Sequence, residues 1–296
     1  MNKPLTGFTP QLSGRGSHRP RSMKILSNIL WYAVVIVLML AVILPFIWML
    51  VTSLKGQKEV FAYPPTWIPQ AWQWQNYLEV WKEAPFARYF LNSTIVALAV
   101  TAGQLTSCIL AAFAFARMNF KGKNFMFLLF LSTTMISTQV TLIPSYLIMT
   151  KLNWIDHYQA LIIPFLANAF GVFMIRQSFR AIPRELEDAA KMDGCGRFRF
   201  LIQIVLPLCT PILASQGLFA FMGNWNSYLW PLIVTNSDQM RTLQIGLRYF
   251  VSGEGGTQWG VYMAAAVLVC LPVIAIYFLV QKSFVESMAT TGLKDI

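Results

Sequence analysis

Acidic and basic side chains interleave over one short stretch of this chain, Pro183 to Pro207, which reads PRELEDAAKMDGCGRFRFLIQIVLP and lies between two long apolar runs. The chemistry these residue types offer is recognition rather than bond breaking. Pro183 suits the first position of a helix, and Glu185, Glu187 and Asp188 put negative charge at its positive N-terminal end. Gly194 can close the helix in a left-handed conformation that other residues avoid. An isolated helix of roughly ten residues is marginal in water, so the segment is expected to dock on something. Two readings stand side by side: a contact device presented to a cytoplasmic partner, or a solvated amphipathic connector whose acids cap its own N-terminus.

Elsewhere the chain offers little reactive material. His18 and His157 are its only histidines, too few for a histidine-based metal site or triad. Cys108, Cys195, Cys209 and Cys270 have no CxxC spacing and are read as packing residues. No GxxxxGK[ST], HExxH or GxSxG pattern occurs. Asn92, Ser93 and Thr94 match a glycosylation acceptor but sit at the edge of an apolar run, where the match is discounted. The expectation is a chain that is not an enzyme, with no catalytic residue, no metal and no cofactor of its own.

The elements that must carry the polar segment follow from composition. Hydrophobic residues make up 56% of the 296 and charged ones 12%, and the mean hydropathy is +0.54, as in a polytopic membrane protein. A helical crossing needs about 20 apolar residues. Uncharged runs of that kind lie within Ile25 to Leu54, Tyr89 to Ala116, Asn124 to Thr150, Tyr158 to Ile175, Phe200 to Ser237 and Gly255 to Gln281. They predict an all-α fold with six transmembrane helices. The fifth run exceeds one crossing, so its helix is expected to end near Gly223, leaving Asn224 to Ser237 re-entrant or external. A membrane barrel would need alternating apolar and polar residues, which these runs lack. The first run is too long for a cleaved signal peptide and is read as a retained helix with a kink at Pro45.

Positive residues collect in cytoplasmic loops. With the N-terminus inside, only Lys55, Lys58, Lys82, Arg88, Lys151, Arg241 and Arg248 fall outside, against sixteen inside. Both termini and the polar loop are thus expected in the cytoplasm. The net charge of +11 is then explained by topology and by anionic headgroups, which makes the lipid bilayer a partner and leaves no role for nucleic acid. The organisation read from this pattern is a basic disordered tail over residues 1–24, a membrane domain over 25–283 with its cytoplasmic loop at 181–200, and a cytoplasmic tail over 284–296.

The loop resembles the cytoplasmic signature of the membrane permease subunits of bacterial ATP-binding-cassette importers, in the carbohydrate-uptake group that includes the maltose permease subunits. That signature runs Glu-Ala-Ala, three residues, Gly, nine residues, Ile, any residue, Leu-Pro, and Asp188, Ala189, Ala190, Gly194, Ile204, Leu206 and Pro207 fall on it. Asp188 replaces the usual Glu and is shorter by roughly 1.5 Å. Glu187 points about 100° away around a helix. Other stretches look like the same family in order: Tyr63 to Pro69 like its first external loop, Asn92, Ser93 and Ala112 to Arg117 like its second helix, and Trp225 to Pro231 like its outer segment after the fifth helix.

The resemblance implies a subunit that pairs with a second homologous permease and two cytoplasmic ATP-binding subunits, which carry the ATP and magnesium. It also implies an extracytoplasmic sugar-binding protein and a bacterial inner-membrane location. Residues Arg184 to Asp193 would be the coupling helix, with Glu187, Asp188, Ala189, Ala190, Gly194, Ile204, Leu206 and Pro207 as coupling residues. Pro207 and Pro211 would pass its tilt to the fifth span. Candidates for the substrate path or binding-protein contact are Thr138 and Gln139, in a stripe with Thr133, Thr134 and Ser137, together with Gln216, Asn224, Trp225, Asn226, Tyr228 and Trp230. Interhelical hydrogen bonding and an interfacial aromatic belt are the plainer reading of the same residues. Oligosaccharides, glycosides or polyols are the expected substrates. The alternative is an ion-coupled secondary transporter. No Asp, Glu or His lies inside the spans away from their ends, which disfavours proton relay, but sodium coupling through unwound carbonyls stays open.

Overall fold

A computed structural model describes residues 21–251 and 257–292, and the side chains of 28–251 and 257–281. The expected N-terminal tail up to residue 20 and the last four residues of the expected C-terminal tail lie outside the described residues. Among those described, all regular structure is helical. In chain order it comprises α1 (Arg21–Ser53), α2 (Gln57–Val60), α3 (Gln75–Glu83), α4 (Phe86–Arg117), α5 (Lys123–Ser132), α6 (Thr138–Lys151), α7 (Tyr158–Ile162) and α8 (Ala169–Ala181). There follow α9 (Arg184–Met192), α10 (Arg197–Phe200), α11 (Leu206–Leu208), α12 (Thr210–Trp225), α13 (Leu229–Val234), α14 (Leu243–Tyr249) and α15 (Trp259–Gly292).

The chain divides into two units between Trp48 and Met49. The first holds most of α1, whose side chains are apolar on every side and exposed from Ile29 to Phe46, with Pro45 inside the helix. That all-round pattern is a membrane span rather than an amphipathic surface helix. In the second unit α4 and α15 are also long and apolar enough to cross. Three further spans are broken: α5 meets α6 at 99°, α7 meets α8 at 42°, and the α10–α11 stretch meets α12 at 83°. Counting each bent pair once yields the six crossings expected from the apolar runs.

Each break has a local cause. After α5 the hydroxyls of Thr133 and Thr134 bond back to the carbonyls of Phe130 and Leu131, both at 2.7 Å, offering the backbone an alternative to the helical ladder. Ile136 and Ser137 are then extended. Between α7 and α8, Pro164 sits in a 3-10 turn, and the Asn168 side chain accepts from Gly171 N at 2.7 Å to start α8 anew. Before α12 the ladder widens into a π segment over Leu201–Val205. Pro211, lacking an N–H, cannot continue it past Cys209. The helix then runs to Trp225, one half-turn beyond the expected Gly223, because Asn226 N still reaches Met222 O at 3.0 Å.

The unit is built around α4, with α8 and α12 packed on it and α15 on α12. The start of α4 (Phe86, Tyr89, Ala97) packs with Trp225, Leu243 and Ala264. Its middle (Val96, Val100) meets Leu161, Trp230 and Val234. Its end (Cys108, Ala112, Phe113) meets Val172, Phe179, Ala190, Phe200 and Val205. Between membrane helices such packing depends on small residues that let backbones approach. At Gly171 a Cβ would stand 2.8 Å from Gln216 Nε2 and 3.1 Å from Cys108 Sγ. The four thiols are free, with Cys108 and Cys209 buried in this packing.

Candidate functional site

The polar loop folds as the helix its residues specify. Pro183 takes the cap rather than the first helical position, with ψ 144°, and Arg184 begins α9. The extended ψ lets the chain leave α8 at Ile182, itself extended, before turning. At the other end Gly194 N donates to Lys191 O at 3.0 Å and Cys195 N to Ala190 O at 2.8 Å, with Gly194 at φ 71°. This is the paired-bond closure that a left-handed glycine permits.

One face of α9 is tied to the chain's own body. Arg117, the last residue of α4, donates to Phe179 O at 2.7 Å and Ile182 O at 2.6 Å. Its other terminal nitrogen lies 3.5 Å from Glu187 Oε2, with side-chain exposures of 6% for Arg117 and 21% for Glu187. One guanidinium therefore joins the ends of α4 and α8 to the first turn of α9. Ala190 is buried in the same cluster as Phe113 and Phe200. The opposite face is open: the Asp188 side chain is 72% exposed, and Leu186, Ala189 and Met192 are exposed beside it. Lys191 Nζ donates to Asp188 Oδ1 at 3.1 Å and to Glu187 Oε1 at 3.2 Å. Those bonds, Asp188 first, hold its ammonium above the usual lysine range.

The seven signature positions thus divide by place. Asp188 and Ala189 face outward, Ala190 faces inward, and Gly194 closes the helix. Ile204 lies in the π segment, and Leu206 and Pro207 lie in α11 at the 83° bend. Ile204 and Leu206 pack on the cluster that buries Ala190, so α9 and the bend share one core. Glu187, named beside them from sequence, faces Arg117. Arg117 was legible as the charge ending an apolar run and as part of the stretch that looks like the family's second helix, but not as the partner of Glu187.

A second feature is an open cavity of about 660 Å³ where the broken spans meet. Thr133, Thr134, Thr138 and Gln139 reach it from the α5–α6 break, Phe165 and Asn168 from the α7–α8 break, and Tyr228 and Trp230 from beyond α12. Interrupted helices are tolerated at membrane depth where they line such a space. Among the described residues the lining is hydroxyl, amide, aromatic and aliphatic, without a charged side chain. Trp230 Nε1 donates to Ala160 O at 2.9 Å, and its ring meets Phe165 edge-on at 6.1 Å.

Thr138, Gln139, Tyr228 and Trp230 line this cavity; the other four sequence candidates do not. Gln216 is buried beside Gly171. Asn224 Nδ2 donates to Ala220 O of its own helix at 2.7 Å. Trp225 is buried and donates to Val269 O of α15 at 3.1 Å. Asn226 is exposed and accepts from Gln244 Nε2 at 3.4 Å. Asn168, Thr141 and Ser145 line the cavity and were not singled out. Asn168 carried a readable signal, an N-cap residue shortly after a proline.

Asp156 fastens the α6–α7 turn to the segment after α13. Its Oδ1 accepts from Asn236 N at 2.9 Å and Ser237 N at 3.0 Å, and its N–H donates to Val234 O at 2.8 Å. Partial burial pushes the carboxyl up. Hydrogen bonds from the Ser237 side chain and the two amides, with the nearby His157, outweigh it and hold Asp156 below the usual range.

Comparison with known proteins adds to this geometry. Residues 103–290 match the family of binding-protein-dependent transport system inner membrane components. The chain is 34% identical over 268 residues to the sn-glycerol-3-phosphate transport system permease protein UgpE of Yersinia enterocolitica, covering 88% of this chain and 95% of that one. It is 32% identical over 259 residues to the probable ABC transporter permease protein YurM of Bacillus subtilis, covering 86% and 85%. Among solved structures, a bacterial ABC transporter involved in the import of the acidic polysaccharide alginate matches with a TM-score of 0.80 at 23% identity, over 90% of this chain and 99% of that one. At that identity the likeness is one of fold.

Proposed function

The chain belongs to the binding-protein-dependent transport system inner membrane components, and from that membership we propose that it is one permease subunit of an ATP-binding-cassette importer for a carbohydrate, glycoside or polyol. In this reading it forms half of the translocation path beside a second, homologous permease. Two cytoplasmic ATP-binding subunits hold the ATP and magnesium, an extracytoplasmic binding protein delivers the substrate, and this chain performs no hydrolysis. Both termini and α9 lie on the cytoplasmic side, in accord with the distribution of Lys and Arg.

The observation that carries the proposal is the two-sidedness of α9. Ala190 and the Glu187–Arg117 pair hold one face to the membrane unit, while Asp188, Ala189 and Met192 face outward. Closure of the ATPase pair would push that outer face. The displacement would pass through the shared core to the π segment and the 83° bend, then along α12 to Tyr228 and Trp230 at the cavity. The hydroxyl, amide and aromatic lining suits polyhydroxylated molecules, which bind by hydrogen bonds and ring faces. One relative is named for sn-glycerol-3-phosphate, and one fold neighbour for the acidic polysaccharide alginate.

The test is purification of the tagged chain from its native membrane in mild detergent, with mass spectrometry of what accompanies it. The expected result is an ATP-binding subunit and a second permease, with the ATP-binding subunit lost on Asp188→Lys. A homo-oligomer that transports alone in liposomes under a sodium gradient would refute the proposal and favour ion coupling.

A further inference from the structure

A second group of charges lies where α5 begins and α8 ends. Lys123 opens α5, Arg176 and Arg180 stand one turn apart late in α8, and Arg184 opens α9. Arg184 comes just after the end of α8, and α5 packs on α8, which brings Lys123 to the same group. Like charges held together repel unless an anion offsets them. The groups that hold two of them are neutral. Lys123 Nζ donates to Met118 O at 2.8 Å and Ala116 O at 3.4 Å. Arg176 Nε donates to Phe115 O at 3.1 Å, and its guanidinium carbon lies 3.9 Å from the centroid of the Phe127 ring.

The acids of α9 are engaged on its other side, Glu187 with Arg117 and Lys191, and Asp188 with Lys191. Among the described residues Arg180 and Arg184 form no ion pair, and both are exposed. A groove of about 350 Å³ opens beside Lys123, lined also by Phe120, Gly122 and Phe125. From it the apolar face of α5 continues through Phe125, Met126, Leu128 and Leu129, all exposed.

We propose that this cationic rim binds the phosphate headgroup of an anionic phospholipid whose acyl chains lie along the exposed face of α5. Arginine forks match phosphate oxygens, and basic pockets at the ends of membrane helices take such headgroups. A soluble protein partner would answer the charges but leave the adjoining apolar face of α5 without a complement. The proposal rests on the chain spanning a membrane and is independent of the importer reading.

The test uses the full-length protein in neutral detergent, titrated with dioleoyl phosphatidylglycerol or dioleoyl phosphatidylcholine, with bound lipid counted by native mass spectrometry. Phosphatidylglycerol should bind more tightly by about 25-fold or more. The double variant Arg180→Gln, Arg184→Gln should lose about fivefold per arginine removed. Arg180→Lys with Arg184→Lys, which keeps charge and fold, should retain most of the preference, and Arg248→Gln should leave it unchanged. An unaltered preference in the double Gln variant overturns the proposal. So does full displacement by inorganic phosphate at equal concentration, which would mean that the acyl chains contribute nothing. Loss of a co-purifying protein from the double variant with lipid preference intact assigns the cluster to protein docking and overturns it as well.

Discussion

Removing the Glu187 carboxylate should loosen α9 from the membrane unit, whereas removing the Asp188 carboxylate one position on should not. Glu187→Ala leaves the Arg117 charge, 6% exposed, without its acid, although the Phe179 and Ile182 carbonyls remain. A hydrogen bond to a charged group contributes about 1.5–3 kcal/mol. The 3.5 Å separation and the 21% exposure of Glu187 put this one near the lower end, about 1.5 kcal/mol. Alanine is the best helix former, so helix propensity does not add to the loss. Asp188→Ala gives up only an exposed pair with Lys191, worth about 0.2–0.5 kcal/mol. The assay is amide hydrogen exchange followed by mass spectrometry on peptides covering 184–195, in detergent. Local opening of α9 sets the exchange rate, and each 1.4 kcal/mol is about tenfold. Glu187→Ala is therefore expected to raise exchange about tenfold and Asp188→Ala to change it by less than about threefold. Equal effects at the two positions, or none at Glu187, would refute the assignment of inner and outer faces.

Gly194→Ala should destabilise the end of α9 by about 1 kcal/mol through backbone strain at φ 71° alone, since no atom lies within 4 Å of the added Cβ; faster exchange confined to the last turn would check this. Gly171→Val should lower the thermal midpoint of the purified protein, because its Cβ meets Gln216 and Cys108 at 2.8 and 3.1 Å and overpacking costs about 1–3 kcal/mol; Gly223→Ala, with open space around it, is the matched control. The Asp156 staple has a defined pH dependence. Its folded pKa lies below the unfolded value, so its stabilisation is complete above about pH 4 and lost as pH falls toward and through the folded value. Protection of the Asn236 and Ser237 amides should therefore drop in that acid window, and at neutral pH in Asp156→Asn. Tyr228→Ala, at the cavity wall, should slow uptake by the reconstituted transporter while leaving the set of co-purifying subunits unchanged; unaltered uptake would remove Tyr228 from the path.

The sequence by itself determined what depends on neighbours along the chain. Apolar runs of membrane length located the six crossings, and a proline, three acids and a glycine marked α9 from Arg184 to its left-handed end. Hydropathy averages over a window and is blind to direction, so it could not foresee that three of those crossings are broken and bent. The signals at the breaks were present in Pro164, Asn168 and Pro211, but membrane helices absorb such residues without breaking when neighbours satisfy the backbone. Only the tertiary structure decided which acid faces where, because Glu187 is assigned by Arg117, 70 residues away. It also separated Tyr228 and Trp230, which reach the cavity, from Trp225 and Gln216, which fill the packing between helices. In one dimension all four are polar or aromatic residues of one apolar run; what distinguishes them is the direction each side chain takes after the chain bends at Cys209 and again beyond Trp225.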